Sequence, residues 1–429
     1  MKRALSIFST TVIALTILSV FGWMVKHRTL KDKDFGFLNK PVEEVSSFFD
    51  LFKKTVKEVQ TLPGTFVRTQ SDYKEINQLE NDVYALVTYT NDKNNRSIEV
   101  LNLKTEESWH SWEIVPAENI QAHDRIVEPL LFSDKSLAYS FTGATGLIKV
   151  DSTGNRLWSQ DSIIHHHSLN FDHENNIWAC AHLREPQRYI PYKGSYWNDG
   201  HEVQFIDDAM ALIDGETGEV LFTKSILELL IENDLEHFLL RAGNSEDPIH
   251  INDVQPVLYD SDYFKKGDVF LSFRNLYCLI HYRPQTNELV DIIEGPFTCQ
   301  HDVDIYSDSL ISIFNNNTHF QKGSHKRKVR QALEPIEMGN FWSEIIFYNL
   351  KTGEFQIFGD SVFASNGIFT FTEGLHEFID PTTVFIEEQN SGELWILNEE
   401  GVIYKNVLNS HHENHHHLSN WTRIVKIDN

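Results

Sequence analysis

Four stretches of this 429-residue sequence carry side chains that can transfer a proton or bind an anion. Histidine occurs as a run, His165–His167, and then singly as His250 and His301. Arg274 lies in an otherwise apolar run, where a buried charge is costly unless it is paired or functional. Any one of these histidines alone is more often a structural residue than a catalytic one. Three occurrences at equivalent positions of a repeat, beside an arginine, indicate a functional centre.

The repeat that positions these residues is a unit of two short strands joined by a polar turn. Most turns have glycine or asparagine at the centre, which suits a positive φ. The centres fall at positions 106, 154, 218, 287, 353 and 401, and Glu106 is the poorest match. A period of about 40–50 residues plus insertions is typical of four-stranded propeller blades. We therefore predict an all-β fold, a six-bladed β-propeller over residues 65–429, with a β-sandwich as the alternative.

Equivalent positions of a propeller converge on one axis. After each hairpin the chain must return to that axis and begin the innermost strand of the next blade. Three of these returns contain the histidines of residues 165–167, 250 and 301. The sequence therefore predicts that their side chains line the central channel, with Arg274 one strand away.

The motifs, taken in order, resemble those of the arylsulfotransferase family. They are His-His-Ser-Leu, Ile-His-Ile-Asn, Leu-Ser-Phe-Arg-Asn, Gln-His-Asp and an asparagine-rich strand end at residues 315–317. The resemblance covers about residues 148–318, and the repeat extends it to most of residues 80–407. It implies a six-bladed propeller that transfers a sulfuryl group from an aryl sulfate to a phenolic acceptor without a nucleotide donor. The predicted partners are therefore a sulfate ester and a hydroxyl acceptor, with no cofactor and no metal.

The resemblance also implies a role for each of six residues. These are His301 as nucleophile, His250 and Asn252 as sulfate ligands, Arg274 as sulfate clamp, and His167 or His166 as acid/base or oxyanion donor. A sulfuryl group in transfer carries charge on three oxygens, like a phosphoryl group, so donors around it are expected. The Nδ1 atom of His301 needs a partner that fixes its tautomer, which can be Asp302 or a backbone carbonyl.

Composition and motif chemistry leave two other functions open. The formal net charge of -25 argues against nucleic acid as a partner, because no basic surface exists to neutralise phosphates. A membrane-anchored propeller that binds a protein or glycan without catalysis is the main alternative. Three histidines on separate strands can also bind zinc, although an adjacent arginine would be electrostatically awkward. The three cysteines show no CxxC spacing and predict no disulfide framework.

The chain termini carry the remaining predictions. Residues 1–28 contain an uncharged stretch, 4–25, that is long enough to span a bilayer as a signal anchor, with a cleaved signal peptide as the alternative. Residues 29–64 predict a linker and an amphipathic helix over 41–60. We expect the propeller to be extracytoplasmic, in the periplasm. The histidine-rich segment 411–417 predicts a solvated loop with adventitious affinity for nickel or zinc.

Overall fold

The protein is described here by a computed structural model. It describes residues 2–29, 35–38, 40–42, 62, 64–93, 95–114, 125–141, 146–182, 206–242, 247–318 and 342–427. The chain divides into two compact units, residues 1–64 and 65–429. The predicted amphipathic helix over 41–60 lies almost entirely outside the described residues.

The first unit contains the helix α1, Lys2–Thr29. Its segment Ser9–Lys26 is apolar and long enough to cross a membrane, and none of it is buried within the protein. A 3-10 turn follows at Gly36–Leu38. Length and composition are therefore compatible with the predicted anchor, and equally with a signal sequence.

The second unit is built almost entirely of antiparallel strands. The strands of the described residues are β1 Phe66–Arg68, β2 Ile76–Asn77, β3 Tyr84–Thr90, β4 Arg96–Asn102, β5 Glu107–Ile114, β6 Ile126–Leu131, β7 Leu137–Phe141, β8 Leu147–Val150, β9 Arg156–Gln160, β10 Ile164–Phe171, β11 Ile177–His182, β12 Asp208–Ile213, β13 Val220–Ser225, β14 Ile251–Pro256, β15 Val269–Phe273, β16 Cys278–Arg283, β17 Glu288–Glu294, β18 His301–Ser307, β19 Leu310–Asn315, β20 Glu344–Asn349, β21 Phe355–Phe358, β22 Leu375–Asp380, β23 Thr383–Glu388, β24 Glu393–Asn398, β25 Gly401–Asn409, β26 His415–His417 and β27 Arg423–Val425. Two short helices, α2 Ile226–Glu232 and α3 Asp360–Asn366, and a 3-10 helix, Glu236–Arg241, lie between them.

Five sheets have four strands each, in the orders β27-β3-β4-β5, β6-β7-β8-β9, β10-β11-β12-β13, β14-β15-β16-β17 and β18-β19-β20-β21. The first strands of successive sheets contact one another around a closed ring, in the order β6, β10, β14, β18, β22, β27. Apolar side chains fill the space between neighbouring sheets. This arrangement is a β-propeller, as the sequence predicted, with the last strand, β27, completing the sheet that the chain began at β3.

The prediction of a six-bladed propeller is corrected by the structure: among the described residues, five sheets form four-stranded blades. The remaining sheet has seven strands: β22 to β25 are extended by β26 and β1, and β2 also pairs with β25. Without further strands, the outer edge of β25 would expose unpaired backbone N–H and C=O groups. The short strands from both ends of the unit provide hydrogen-bond partners for this edge. The repeat pattern alone gave no sign of the added strands.

The turn prediction is correct at five of six centres. Residues 106, 154, 218, 287 and 353 have positive φ and join the third and fourth strands of their sheets. Glu106 adopts φ 59 although it is neither glycine nor asparagine. The sixth centre is wrong, because Gly401 already begins β25 and its φ is not positive.

The histidine-rich segment is not the solvated loop that its polarity predicted. His416 and His417 are buried in β26, which pairs with β1 and β25. His416 hydrogen bonds through Nδ1 to Thr69 Oγ1 (2.9 Å) and through Nε2 to the carbonyl oxygen of Ser391 (2.7 Å). His411, at the start of the segment, keeps a side chain that is 95% exposed.

Candidate functional site

Bulges in the first strands of three sheets present the candidate residues at the axis of the ring. The strand register shifts between His166 and Leu169, between Ile251 and Asp253, and between His301 and Val303. A bulge adds a residue on one strand and re-aims the neighbouring side chains, which otherwise alternate between faces. His167 and His250 have φ 51 and 53, a conformation that is uncommon for histidine and often found at functional sites.

His301 is held with its Nδ1 atom towards two acceptors. Nδ1 lies 2.5 Å from Asn316 Oδ1 and 3.1 Å from the carbonyl oxygen of Cys299. The amide of Asn316 cannot be flipped without loss, because its Nδ2 donates to the carbonyl oxygens of Thr370 and Glu373. Nδ1 of His301 therefore carries the proton, and its Nε2 keeps the lone pair that a nucleophile needs.

Burial and the nearby Arg274 guanidinium hold the pKa of His301 well below its usual value. The imidazole is therefore neutral at neutral pH. Arg274 is half-buried in the turn after β15, and its backbone N–H donates to the His250 carbonyl oxygen (3.0 Å). Its Nη1 donates to Asn275 Oδ1 (3.1 Å). Within the part of the chain that the structure describes, no carboxylate lies within 4.0 Å of this guanidinium, so its charge is available to an anion.

The structure brings His167 and His250 to the same place. The ring centroid of His167 lies 5.0 Å from that of His250 and 6.2 Å from that of His301. His250 Nδ1 lies 2.5 Å from Asp247 Oδ2, a contact that orients the ring. Burial and the neighbouring His250 hold the pKa of His167 well below its usual value. The His167 imidazole is therefore neutral, and it lies close to the rings of His250 and His301.

The other two predicted residues border the cluster. Asn252 is buried; its Nδ2 donates to the Gln300 carbonyl oxygen (2.7 Å), while its Oδ1 has no hydrogen-bond partner. That contact places Asn252 against the residue preceding His301. His166 contacts His167 by a 2.7 Å Nδ1–Nδ1 approach, but its Nε2 faces His182 and Asp208 on the other side.

Asp302 is not the partner of His301. The bulge at this position directs the Asp302 carboxylate to the backbone N–H and Nδ1 of His376, at 2.7 and 2.8 Å. Of the two partners that the sequence left open, the backbone carbonyl of Cys299 is therefore present, and Asn316 is added to it. Asp302, Asp304 and His376 form a second cluster with metal-ligating atoms.

Sequence reasoning missed three residues around the site. Asn316 belongs to the asparagine-rich strand end that was noted as a motif, so its position carried a signal. Asp247 precedes His250 by three residues, but a spacing of this kind is too common to be informative. Trp421, whose ring centroid is 6.2 Å from that of His167, gave no signal, because it comes from the far end of the chain through β27.

The solved structures that match the chain have low sequence identity. A protein of unknown function from Bacteroides caccae is 11% identical, with TM-score 0.46, and the match covers 76% of this chain and 93% of that one. TolB from Acinetobacter baumannii is also 11% identical, with TM-score 0.44 and coverages of 79% and 66%. A streptogramin B lyase is 10% identical, with TM-score 0.40 and coverages of 80% and 88%.

No protein of curated function matches the chain. The model of the family described as arylsulfotransferase (ASST) matches residues 129–407, which include all six predicted site residues and most of the ring. This range is about two-thirds of the sequence and agrees with the motifs from which the resemblance was drawn. The chain therefore belongs to the arylsulfotransferase family.

Proposed function

We propose that this protein transfers a sulfuryl group from an aryl sulfate ester to a phenolic or other hydroxyl acceptor, with His301 as the nucleophile. The observation that carries the proposal is the tautomer of His301. Asn316 fixes the proton on Nδ1, so Nε2 keeps a neutral lone pair, and the nearby Arg274 has no acidic partner among the described residues. A family that acts on sulfate esters needs this pairing of a nucleophile with an anion-binding fork.

In the first half-reaction, Nε2 of His301 attacks the sulfur atom of the donor. The N–S bond forms as the S–O bond to the aryl group breaks, and the aryl oxygen leaves as a phenolate that must be protonated. Arg274 binds the sulfuryl oxygens in a planar fork, and the buried Asn252 fixes the residue before the nucleophile by donating to the Gln300 carbonyl oxygen. These interactions strengthen as charge develops on the three oxygens.

Proton transfer is best assigned to His250. Its Asp247 partner stabilises the imidazolium that donates to the leaving phenolate, as a carboxylate does for the histidine of a catalytic triad. The resemblance offered an acid/base or oxyanion-donor role to His167 or His166 and made His250 a ligand. The geometry favours the reverse, because the low pKa of His167 suits a neutral donor to a sulfuryl oxygen better than an acid.

In the second half-reaction, the acceptor hydroxyl attacks the sulfur of the sulfohistidine. The O–S bond forms, the N–S bond breaks, and neutral His250 takes the hydroxyl proton, which restores the starting state. The two half-reactions share one site, so kinetics of the ping-pong type are expected. The sulfuryl donor is the ester itself, so neither step needs a nucleotide donor.

The N-terminal helix supports a membrane location for this activity. We propose that α1 anchors the chain and that the second unit faces the extracytoplasmic space, where aryl sulfates from outside the cell are within reach.

The test uses the full chain in detergent with p-nitrophenyl sulfate, phenol and no nucleotide. Nitrophenolate release that depends on phenol is the expected result. His301→Asn should abolish it, and His173→Ala, which changes a half-exposed histidine on the turn after β10, should not. With donor alone, the wild type should gain the mass of one sulfuryl group on a peptide containing His301.

Two outcomes would refute the assignment. Full activity in His301→Asn would exclude His301 as the nucleophile. Absence of release and of the sulfohistidine with several aryl sulfates and acceptors would favour a propeller that binds a protein or glycan without catalysis.

A further inference from the structure

A second group of polar side chains lies behind the proposed site, on one face of a single sheet. It consists of His166 on β10, His182 on β11 and Asp208 on β12, which are three adjacent strands. His182 and Asp208 are direct cross-strand partners. His182 pairs on its other side with Ile164, two residues before His166, so the diagonal neighbour His166 lies on the same face.

The three ligand atoms of this group converge on one point. His182 Nε2 lies 2.9 Å and His166 Nε2 lies 3.5 Å from Asp208 Oδ1, and all three atoms are within 4.8 Å of one another. Ligands around a tetrahedral zinc ion, at about 2.0–2.1 Å from the metal, are about 3.3 Å apart. The two separations from Asp208 Oδ1, 2.9 and 3.5 Å, lie on either side of that value. A zinc ion therefore fits without movement of the strands.

Hydrogen bonding within the protein does not account for these atoms. Among the described residues, the buried His166 Nε2 makes no hydrogen bond, and Asp208 Oδ1, on a side chain only 1% exposed, has His182 Nε2 at 2.9 Å but not in hydrogen-bond alignment. The other oxygen of that carboxylate, Oδ2, accepts the backbone N–H of Ile251 (3.1 Å), which fixes its orientation and leaves Oδ1 aimed at the two rings. Buried polar atoms without partners are rare and require an explanation.

We propose that His166, His182 and Asp208 form a binding site for a first-row divalent cation, of which zinc fits the ligand set best. Two imidazole nitrogens and one carboxylate oxygen are ligands that zinc takes in proteins, with a fourth position left for water. The His182 side chain is 31% exposed, so that position is within reach of solvent. The backbone bond to Asp208 Oδ2 is the kind of support that orients metal ligands.

The second cluster in the described residues provides a contrast. His376 uses both ring nitrogens in hydrogen bonds, Nδ1 with Asp302 Oδ2 and Nε2 with Ser312 Oγ, each at 2.8 Å. Asp304 Oδ2 is 4.0 Å away. This cluster is hydrogen-bonded at both ring nitrogens of its histidine, whereas the described residues give His166 Nε2 no hydrogen bond.

A metal at this site would also define the hydrogen bond between His166 and His167. A cation on Nε2 of His166 leaves the proton on Nδ1, which then donates to Nδ1 of His167 across the 2.7 Å contact. The proton of His167 is thereby placed on Nε2, where it can be donated to a sulfuryl oxygen. This link rests on the proposed sulfuryl transfer; the metal site itself does not.

The test measures metal content, so it does not depend on activity. The full chain carries His411→Ser and His412→Ser, which remove exposed histidines that bind cations adventitiously. After loading with zinc and desalting, about one equivalent per chain should remain, and cobalt should give the visible spectrum of a tetrahedral site. His182→Gln and Asp208→Asn should each lose both signals, whereas His173→Ala and His301→Asn should retain them.

Retention in His301→Asn separates the two proposals, because that variant lacks the nucleophile and keeps the metal ligands. Zinc should raise the Tm of the parent chain and not that of His182→Gln. Because this comparison is made within each chain, with and without zinc, it stays valid if one variant is less stable. Removal of the metal should lower the transfer rate about 10- to 100-fold. The proposal is overturned if the parent chain binds no equivalent of zinc, or if binding is the same in His182→Gln and Asp208→Asn as in the parent.

Discussion

At the scale of single residues, the site depends on side chains that hold others in one protonation state. The proposed role of His301 as nucleophile depends on Asn316, which accepts a hydrogen bond from its Nδ1–H and is itself fixed by two backbone carbonyls. Arg274, the proposed anion-binding fork, also lowers the pKa of His301 through its charge. Removal of either residue should therefore change the chemistry without removing the nucleophile.

Asn316→Asp should shift the pH dependence of transfer. A carboxylate beside Nδ1 favours the imidazolium, so the pKa of His301 rises and the acid limb of kcat/KM moves to higher pH. We expect a loss of about 10- to 100-fold at pH 6, less at pH 8, measured with p-nitrophenyl sulfate and phenol. Asn317→Gly, which removes a side chain bonded to the Trp342 carbonyl oxygen, is the control. An unshifted profile in Asn316→Asp would show that Asn316 does not set the tautomer.

Arg274→Lys should lower kcat/KM about 10- to 100-fold while the fold is retained. Lysine keeps the charge but replaces a fork of two donors by a point charge, so the interaction with the transferring oxygens weakens. Arg241→Lys is a matched control, because Arg241 is an exposed arginine paired with Glu294 on the outside of the propeller. Equal rates in the Arg274 and control variants would contradict the clamp role.

The sequence predicted the residues of this cluster better than their contacts. Motif order gave His167, His250, Arg274 and His301, which the fold brings together. It could not give Asp247 or Asn316 as partners, because local bulges decide which way each side chain points. Asp302 is an example. The bulge between His301 and Val303 shifts the strand register, so the Asp302 side chain contacts His376 and not the adjacent His301.

At the scale of elements, carboxylates on the ring connect one sheet to the next. Glu128 on β6 accepts the Leu169 N–H of β10, and Asp253 on β14 accepts the Val303 N–H of β18. Asp302 on β18 and Glu377 on β22 do the same for the sheets that follow them. The inner strands are thus joined by carboxyl oxygens that accept backbone N–H groups, which explains acidic residues at positions that pattern reasoning assigns to the core.

β27 closes the ring through Arg423. Its guanidinium pairs with Glu128 of β6 (2.9 Å) and also contacts the Leu169 carbonyl and Asn170 Oδ1 of β10. Arg423→Met leaves Glu128 buried and unpaired, so we expect it to lower the free energy of unfolding by about 3 kcal/mol. Glu128→Gln in the same chain should restore part of that loss, which urea unfolding of the two single variants and the double variant would measure.

If the losses in free energy of unfolding of the two single variants simply add in the double variant, Arg423 and Glu128 act independently. A suitable control is Arg156→Met, which removes an exposed arginine from the outer strand β9. It should change the free energy of unfolding by less than about 0.5 kcal/mol.

The strand repeat made the ring predictable, since turn centres and apolar alternation are local signals. The seven-stranded sheet was not predictable in the same way. β26 is a run of three histidines, and its pairing with β1 joins residues about 350 positions apart. No local pattern distinguishes such a strand from a polar loop.

At the scale of the whole molecule, the acidic residues that give the formal net charge of -25 include carboxyls buried inside the ring. Burial raises the pKa of Glu128, Asp253, Asp304 and Glu377, and it raises that of Asp302 to about 8. Arg423 is the cation that contacts this group among the described residues. These carboxyls favour the protonated form in the folded state, so part of the stability of the propeller must fall as pH rises.

Glu387 allows that dependence to be measured at one residue. Burial raises its pKa to about 7, its Oε2 accepts the Thr422 N–H, and its buried Oε1 makes no hydrogen bond within the described part of the chain. The unfolded side chain titrates near 4.3, so the stabilisation is complete below about pH 4 and is lost as pH rises to about 7. Glu387→Gln keeps an acceptor and does not titrate. Relative to wild type it should therefore gain about 2–3 kcal/mol in the free energy of unfolding between pH 5 and pH 8.

Urea unfolding at both pH values measures this gain, with Glu400→Gln on an exposed turn as the control that should show none. A difference between Glu387→Gln and wild type that is the same at both pH values would mean that Glu387 is already ionised in the folded ring at pH 5, with its charge satisfied by the backbone.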